Sequence, residues 1–118
     1  MRKPINLRAR GRFKQRKPGE MNKLEAKYAE HLRGLQLTGM IHSFRYERHN
    51  LKLADKTYYK PDFEVMMPDG TIEFHEVKGY MMEDANVKIK VAADQFKEYK
   101  FVLVKWSKQG WQFKEIGG

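Results

Sequence analysis

Three side chains of the types used in catalysis, Asp62, Glu76 and Lys78, lie in two short segments that resemble β-strands. Asp62 belongs to YKPDFEV (residues 59–65), and Glu76 and Lys78 belong to HEVKG (residues 75–79). Charged residues at central strand positions cost stability unless a partner offsets their charge. The pattern therefore predicts a group that offsets the charge of these residues.

The turn between the two segments sets which residues oppose each other. Pro68-Asp69-Gly70 favours a tight turn, because proline presets its backbone dihedral and glycine accepts a positive one. A short loop here places Met67 opposite Thr71 and, counting back, Asp62 opposite Glu76. Directly opposed residues project from one face, about 4.5–5.5 Å apart at Cβ. The sequence therefore predicts two neighbouring carboxylates on one face of a hairpin.

These carboxylates predict a site for a divalent cation. Their repulsion destabilises a sheet, and Mg²⁺ binds hard oxygen ligands of this kind. Such a cation activates a bound water and stabilises charge on a phosphoryl group. Lys78, on the same face by alternation, would orient or deprotonate the water, or neutralise the transition state. The alternative is an exposed lattice of Lys60/Lys78 and Asp62/Glu76 pairs. The apolar neighbours favour burial instead: Phe63, Val65, Phe74 and Val77.

A helix is predicted ahead of the hairpin, from about Met21 to an end bracketed by Gly34 and Gly39. Asn22 followed three residues later by Glu25 matches a capping box, which marks a helix start. The apolar residues recur at helical spacing and form one stripe. This stripe consists of Met21, Leu24, Tyr28, Leu32 and Leu35.

The other elements follow from periodicity. Near alternation from Ile41 to Leu53 predicts one strand before the hairpin, and residues 83–99 predict a second helix. The apolar face of that helix consists of Ala85, Ile89, Ala92, Phe96 and Tyr99. The apolar run 101–104 predicts a central strand, and residues 111–116 a final one. The order helix, three strands, helix, two strands predicts a mixed α/β fold.

Charge is concentrated at the N-terminus. The 118 residues carry a net charge of +9 and form one expected domain. Residues 1–19 hold eight cations and no acid, whereas the rest has 16 Lys and Arg against 15 Asp and Glu. We expect a basic flexible arm, residues 1–19, ahead of a domain at 20–118. The arm is either a solubility tail or a grip on a polyanion such as DNA. Its candidate DNA-binding residues are Arg8, Arg10, Arg12, Lys14, Arg16 and Lys17.

Other features narrow the setting. The chain lacks cysteine, which excludes disulfides and thiolate metal sites. No apolar run approaches the roughly 20 residues of a membrane helix, and no secretory signal is recognisable, so a cytoplasmic protein without a membrane partner is expected. Among the histidines no metal-ligand spacing occurs, and His75 points away from Glu76 by alternation. Tyr58, Tyr59 and Tyr80 flank the site and either stack on bases or pack in the core.

The sequence resembles the PD-(D/E)XK nuclease superfamily. Pro61-Asp62 is similar to its "PD" and Glu76-Val77-Lys78 to its "(D/E)XK". Glu25 is similar to the metal-binding glutamate of the family's first helix, with Glu30 as the alternative. Residues 95–99, QFKEY, resemble a Gln-x-x-x-Tyr motif. The resemblance implies a restriction-endonuclease-like core, a mixed β-sheet of about five strands flanked by helices.

The resemblance also implies a function, Mg²⁺-dependent (or Mn²⁺-dependent) cleavage of DNA. One or two metal ions would be held by Asp62, Glu76, the Val77 carbonyl and Glu25. Lys78 would position the attacking water, and Gln95 would orient Lys78 or a phosphate. Lys88 and Lys90 would meet phosphate or be solvated.

The YYKPDFEV and EVKGYM segments most resemble small phage-encoded nucleases related to a Holliday-junction resolvase. This likeness implies branched DNA as substrate, a homodimer that makes two cuts, and action in the host cytoplasm. The alternative is a non-catalytic nucleic-acid-binding protein, or an accessory subunit of a phage DNA-processing complex.

Overall fold

The structure of the chain, a computed structural model, describes residues 19–79 and 83–117, with the backbone alone for residues 83–86. Residues 1–18 of the basic arm, Tyr80 and the side chain of Ala85 lie outside this description. Two helices are described, α1 (Lys23–Leu37) and α2 (Glu83–Gln95). The described strands are β1 (Ser43–Tyr46), β2 (Leu51–Ala54), β3 (Thr57–Tyr59), β4 (Phe63–Met66), β5 (Ile72–Lys78), β6 (Lys100–Ser107) and β7 (Gly110–Ile116).

Five of these strands form one mixed sheet in the order β1-β4-β5-β6-β7. Strands β5 and β6 run parallel, because α2 connects them, and the other neighbours are antiparallel. Strands β2 and β3 pair separately as a two-stranded sheet. The mixed α/β fold with a five-stranded sheet flanked by helices is thus confirmed, and it is compatible with the core expected from the sequence.

The single strand predicted over Ile41 to Leu53 was wrong. The chain instead leaves β1 at Glu47, whose φ is +48°, and resumes as β2 at Leu51. The backbone N–H of Glu47 donates to the carbonyl of Asp62 at 2.8 Å, so the break is fixed to the start of β4. Alternating polarity continues through both strands, and it therefore hides the change of sheet.

The start of α1 is as predicted. Asn22 caps the helix, its Oδ1 accepting from the N–H of Glu25 at 2.7 Å, while Glu25 Oε1 accepts from the N–H of Asn22 at 2.9 Å. Tyr28 and Leu32 are fully buried and attach the helix to the sheet. The capping box thereby fixes where Glu25 enters the fold.

The β4–β5 hairpin has the predicted register. Phe63 pairs with His75 and Met66 with Ile72, and the N–H of Met67 donates to the carbonyl of Thr71 at 2.8 Å. Gly70 takes the positive φ of +90° that the turn requires. The same register carried one residue beyond β4 sets Asp62 opposite Glu76.

The sheet divides the buried core into two halves, and the side chains of β5 alternate between them. Glu73, His75 and Val77 project toward α1, and we call this side of the sheet the α1 face. Phe74, Glu76 and Lys78 project toward α2, on the α2 face. Each face has its own cluster of buried side chains, one around Tyr28 and Leu32 and the other around Ile89 and Ala92.

Helix α2 is shorter than predicted, ending at Gln95 instead of Tyr99. The N–H of Tyr99 donates to the carbonyl of Phe96 at 3.1 Å in a turn that leads into β6. The Tyr99 ring packs on Phe74 with ring centroids 5.1 Å apart. Its apolar spacing therefore reflects packing on the sheet after the helix has ended.

Candidate active site

Asp62 lies just before β4 and is held by the neighbouring strand. It follows the fully buried Pro61 and is itself only 9% exposed. Its Oδ2 accepts a hydrogen bond of 2.8 Å from the backbone N–H of Val77. This bond ties the carboxylate to β5 beyond the last described ladder pair. The predicted "PD" and "EVK" segments are thus joined through a buried side chain.

Glu76 is held from two sides. Its side chain is buried, and Oε1 accepts from the hydroxyl of Tyr59 at 2.7 Å. Its Oε2 lies 3.0 Å from Nζ of Lys78, which is also largely buried. Tyr59 therefore belongs to the site through its hydroxyl group. Because Tyr59 lies on β3, the two-stranded sheet contributes this hydrogen bond to the site.

The electrostatics of the site leave negative charge poorly offset. Burial is the main cause that raises the pKa of Asp62 to about 8, and the charge of Glu76 raises it further. The Val77 N–H and the Lys78 ammonium act in the opposite direction. Burial and the Glu76 carboxylate also raise the pKa of Tyr59. One lysine thus faces more than one buried carboxylate.

Glu25 belongs to the same electrostatic environment. It is 6% exposed, its Oε1 accepts from the hydroxyl of Tyr46 at 2.7 Å, and its charge contributes to the raised pKa of Asp62. Glu30, the alternative helix carboxylate, has a side chain that is 74% exposed and lies 3.6 Å from Arg33. The structure therefore brings Glu25 toward the site and directs Glu30 to solvent.

Other candidate residues lie elsewhere. The side-chain amide of Gln95 donates to the carbonyl of Leu53 at 2.9 Å, so it links α2 to β2 instead of orienting Lys78. Lys88 and Lys90 are exposed on α2. The six DNA-binding candidates of the arm lie outside the described residues.

A second buried network occupies the α1 face. The Tyr28 hydroxyl and Nδ1 of His75 are 2.7 Å apart, and Nε2 of His75 lies 2.9 Å from Glu73 Oε1. His75 does point away from Glu76, as the alternation predicts. The sequence places Glu73 and His75 on one face, but it does not show that Tyr28 reaches them.

The carboxylates of the site are a partial set of metal ligands. Within the described part of the chain, no three histidine, aspartate or glutamate side chains are grouped closely enough to hold a metal ion as they stand. Asp62 and Glu76 nevertheless supply the hard oxygen donors that Mg²⁺ prefers. A cation beside them would stabilise the charged form of Asp62 against the burial and the repulsion by Glu76 that raise its pKa. The donor set therefore fits a cation bound by two carboxylates together with water or backbone oxygens.

The fold and the site define a mixed α/β protein with a buried carboxylate–lysine cluster at the β4–β5 hairpin. The chain belongs to the family described as "Protein of unknown function (DUF1064)", whose model matches residues 20–115. The comparison with curated proteins gave no match, and neither did the comparison with solved structures. Within the described residues, no helix is long and apolar enough to cross a membrane.

Proposed function

We propose that this chain is a divalent-cation-dependent nuclease that hydrolyses phosphodiester bonds of DNA. The observation that carries the proposal is the shared burial of Asp62 and Glu76 beside Lys78. Burying acids together costs free energy, and such arrangements concentrate at functional sites. The resemblance to PD-(D/E)XK nucleases also supports the proposal, because its motif residues are the ones that meet here.

The cation would be Mg²⁺ or Mn²⁺, held by Asp62 and Glu76 with the Val77 carbonyl and Glu25. When bound, it lowers the pKa of a water and stabilises negative charge on the phosphoryl group. Oxygen ligands from carboxylates and a backbone carbonyl match the preference of these ions.

The side chains of the site hold their positions through specific hydrogen bonds. The Val77 N–H orients the carboxylate of Asp62, and the Tyr59 hydroxyl orients that of Glu76. Lys78 lies 3.0 Å from Glu76, which keeps its ammonium group beside the acids. From there it can donate to the attacking water or to a phosphate oxygen, offsetting charge that develops in the transition state.

The reaction is an in-line displacement at phosphorus. The oxygen of a water molecule forms a bond to phosphorus while the bond from phosphorus to the 3′ oxygen breaks. One proton of the water passes to solvent, and the leaving 3′ oxygen takes up a proton. The products are a 5′-phosphate and a 3′-hydroxyl, so the sum of the reaction is the addition of one water.

The substrate is DNA, and branched DNA follows from the likeness to small phage-encoded nucleases. The eight cations of residues 1–19 complement a polyanion. A four-way junction needs two cuts, which favours a homodimer with one site in each chain. The protein would then act in the cytoplasm of the host cell.

A cleavage assay tests the proposal. Supercoiled, linear, single-stranded and four-way-junction DNA are incubated with Mg²⁺, Mn²⁺ or EDTA, and products are labelled at each end. We expect cleavage with Mg²⁺ or Mn²⁺ only, lost in Asp62→Asn and Glu76→Gln by about 10³-fold or more. Glu30→Gln, which changes an exposed acid on α1, is the matched control and should cleave normally.

Two results would reject the nuclease proposal. Substantial cation-dependent cleavage by the Asp62→Asn/Glu76→Gln double variant would remove these residues from the chemistry. DNA binding without cleavage of any of the four substrates would favour the non-catalytic binding protein, or an accessory subunit of a phage DNA-processing complex.

A further inference from the structure

The α2 face of the sheet continues past the candidate active site onto β6 and β7. Lys78 pairs with Lys105 on β6, and Lys105 pairs with Gln112 on β7. Glu76 pairs with Leu103, and Leu103 with Lys114. Paired residues project from the same face, and neighbouring strands are about 4.8 Å apart. Lys105 and Lys114 therefore lie one and two strands away from the site, on its own side of the sheet.

The exposed part of this surface forms a groove of about 520 Å³. Helix α2 covers the adjoining part of the same face, where Ile89 and Ala92 cluster with Phe101 and Leu103. The residues that line the groove are Leu103, Lys105, Ser107, Gln109, Gln112, Phe113 and Lys114. We call this surface the β6–β7 shelf.

Charge is sorted between the two faces of this strand pair. Glu115, the acid of β7, projects to the α1 face, where it lies 3.8 Å from Lys100. On the shelf, Lys105 and Lys114 are exposed, and neither forms an ion pair with an acid of the described residues. A surface with cations only, beside a site for phosphate chemistry, matches a polyanion.

The shelf offers contacts to phosphate rather than to bases. Trp106 and Trp111 project to the α1 face, where their rings meet with centroids 4.9 Å apart and Lys27 covers Trp106. Phe113 also lines the groove, but its pairing with Val104 places it on the α1 face, where its ring centroid lies 6.2 Å from that of His31. The lysine, glutamine and serine side chains at the centre of the shelf can donate hydrogen bonds to phosphate oxygens, and contacts of that kind carry no sequence information.

We propose that the β6–β7 shelf binds backbone phosphates of the DNA strand that runs through the candidate active site. This inference rests on the proposed function and adds the direction in which the substrate leaves the site, across β6 toward the edge at β7. Because the shelf contacts phosphate only, its contribution to affinity is independent of base sequence and sensitive to salt.

The experiment measures DNA affinity over a salt series with the full-length chain, in EDTA so that no cleavage occurs. Two 30-base-pair duplexes of unrelated sequence serve as probes. If both lysines meet phosphate, Lys105→Gln/Lys114→Gln should flatten the slope of log K against log salt by about 1.8 units on both duplexes. Both side chains are exposed, so the substitutions should leave stability within about 0.5 kcal/mol.

The matched control is Lys52→Gln/Lys97→Gln, which removes the same charge from exposed positions away from the shelf. Its slope should equal that of the wild type. An unchanged slope in the shelf variant, or an equal change in both variants, would overturn the proposal that the shelf binds phosphate.

The shelf and the nuclease proposal can fail separately. If the shelf variant binds DNA like the wild type and the wild type cleaves DNA, the proposal that the shelf binds phosphate is wrong and the nuclease proposal is supported. If the slope flattens but wild-type protein cleaves no DNA, the shelf stands as a binding surface and the nuclease is wrong.

Discussion

The two sides of β5 hold carboxylic acids in opposite electrostatic conditions. On the α1 face, Glu73 is 2.9 Å from the ring of His75, and that hydrogen bond is the main cause that holds its pKa below the usual range. On the α2 face, Asp62 lies beside Glu76, and its pKa is raised to about 8. One acid is stabilised by its neighbours, and the other is destabilised by burial and a second acid.

We interpret this difference as the contrast between a structural network and the proposed functional site. The chain of Glu73, His75 and Tyr28 joins β5 to α1 and satisfies its polar groups within the fold, which is what stability requires. The Asp62 and Glu76 pair costs stability in the absence of a further cation. Charged groups that destabilise the folded state are expected at sites where a protein binds a ligand or catalyses a reaction.

A large effect on stability is expected from breaking the α1-face network. His75→Ala leaves a cavity and deprives the Tyr28 hydroxyl and the Glu73 carboxylate of their partner, so it should lower the free energy of unfolding by about 2–4 kcal/mol. Urea denaturation at pH 7 measures this. Tyr28→Phe, which removes one hydroxyl only, should cost about 1 kcal/mol. A loss below about 0.5 kcal/mol for His75→Ala would contradict a structural role for the network.

The stability contributed by Asp62 on the α2 face should depend on pH in the sense opposite to that contributed by Glu73 on the α1 face. Between the ordinary pKa of an aspartate, 3.8, and about 8, the folded protein holds a proton on Asp62 that the unfolded chain releases. Stability contributed by that proton therefore falls as pH rises, by up to about 1.4 kcal/mol per pH unit without a divalent cation. Asp62→Asn removes this dependence. In EDTA, the free energy of unfolding of the variant should therefore rise relative to that of the wild type as the pH is raised from 4 to 8.

Glu73→Gln is the matched comparison for that experiment. The folded pKa of Glu73 is lowered, so its contribution is present above the unfolded pKa and is lost as pH falls through the folded value. Glu73→Gln should therefore be less stable than the wild type at pH 7 and approach it in acid. Parallel pH profiles for the Asp62 and Glu73 variants would remove the distinction between the two faces.

A smaller effect is expected at Glu25. Glu25→Gln keeps a side chain that can accept from the Asn22 N–H, so the capping box and stability should change little. The loss of a proposed cation ligand near Asp62 should lower the cleavage rate by about tenfold or more. Glu30→Gln should cleave at the wild-type rate. If the two variants exchange these results, Glu30 is the helix carboxylate of the site.

The sequence alone predicted the local parts of this site. Alternation and a proline–glycine turn fix the β4–β5 register, and the capping box locates the start of α1, because both signals act within a few residues. Asp62, Glu76 and Lys78 could therefore be placed on one face from the pattern of residues alone.

Contacts between distant elements could not be predicted in this way. The bonds from Tyr59 to Glu76, from Tyr28 to His75 and from Gln95 to Leu53 span 17, 47 and 42 residues. They depend on how β3, α1 and α2 pack on the sheet, and periodicity carries no information about that packing. The separate β2–β3 sheet was missed for the same reason, since alternating polarity continues across the break at Glu47.

Cation binding tests the central claim most directly. Mn²⁺ is titrated into the protein at pH 7 by calorimetry, in two buffers with different ionisation enthalpies. Because the pKa of Asp62 is about 8 without a cation, binding to its carboxylate should release close to one proton, and the measured heat should differ between the buffers. Glu73→Gln should behave like the wild type, whereas Asp62→Asn should bind at least tenfold more weakly and release no proton. Equal Mn²⁺ binding by Asp62→Asn, or no binding by the wild type, would contradict a cation site on the α2 face.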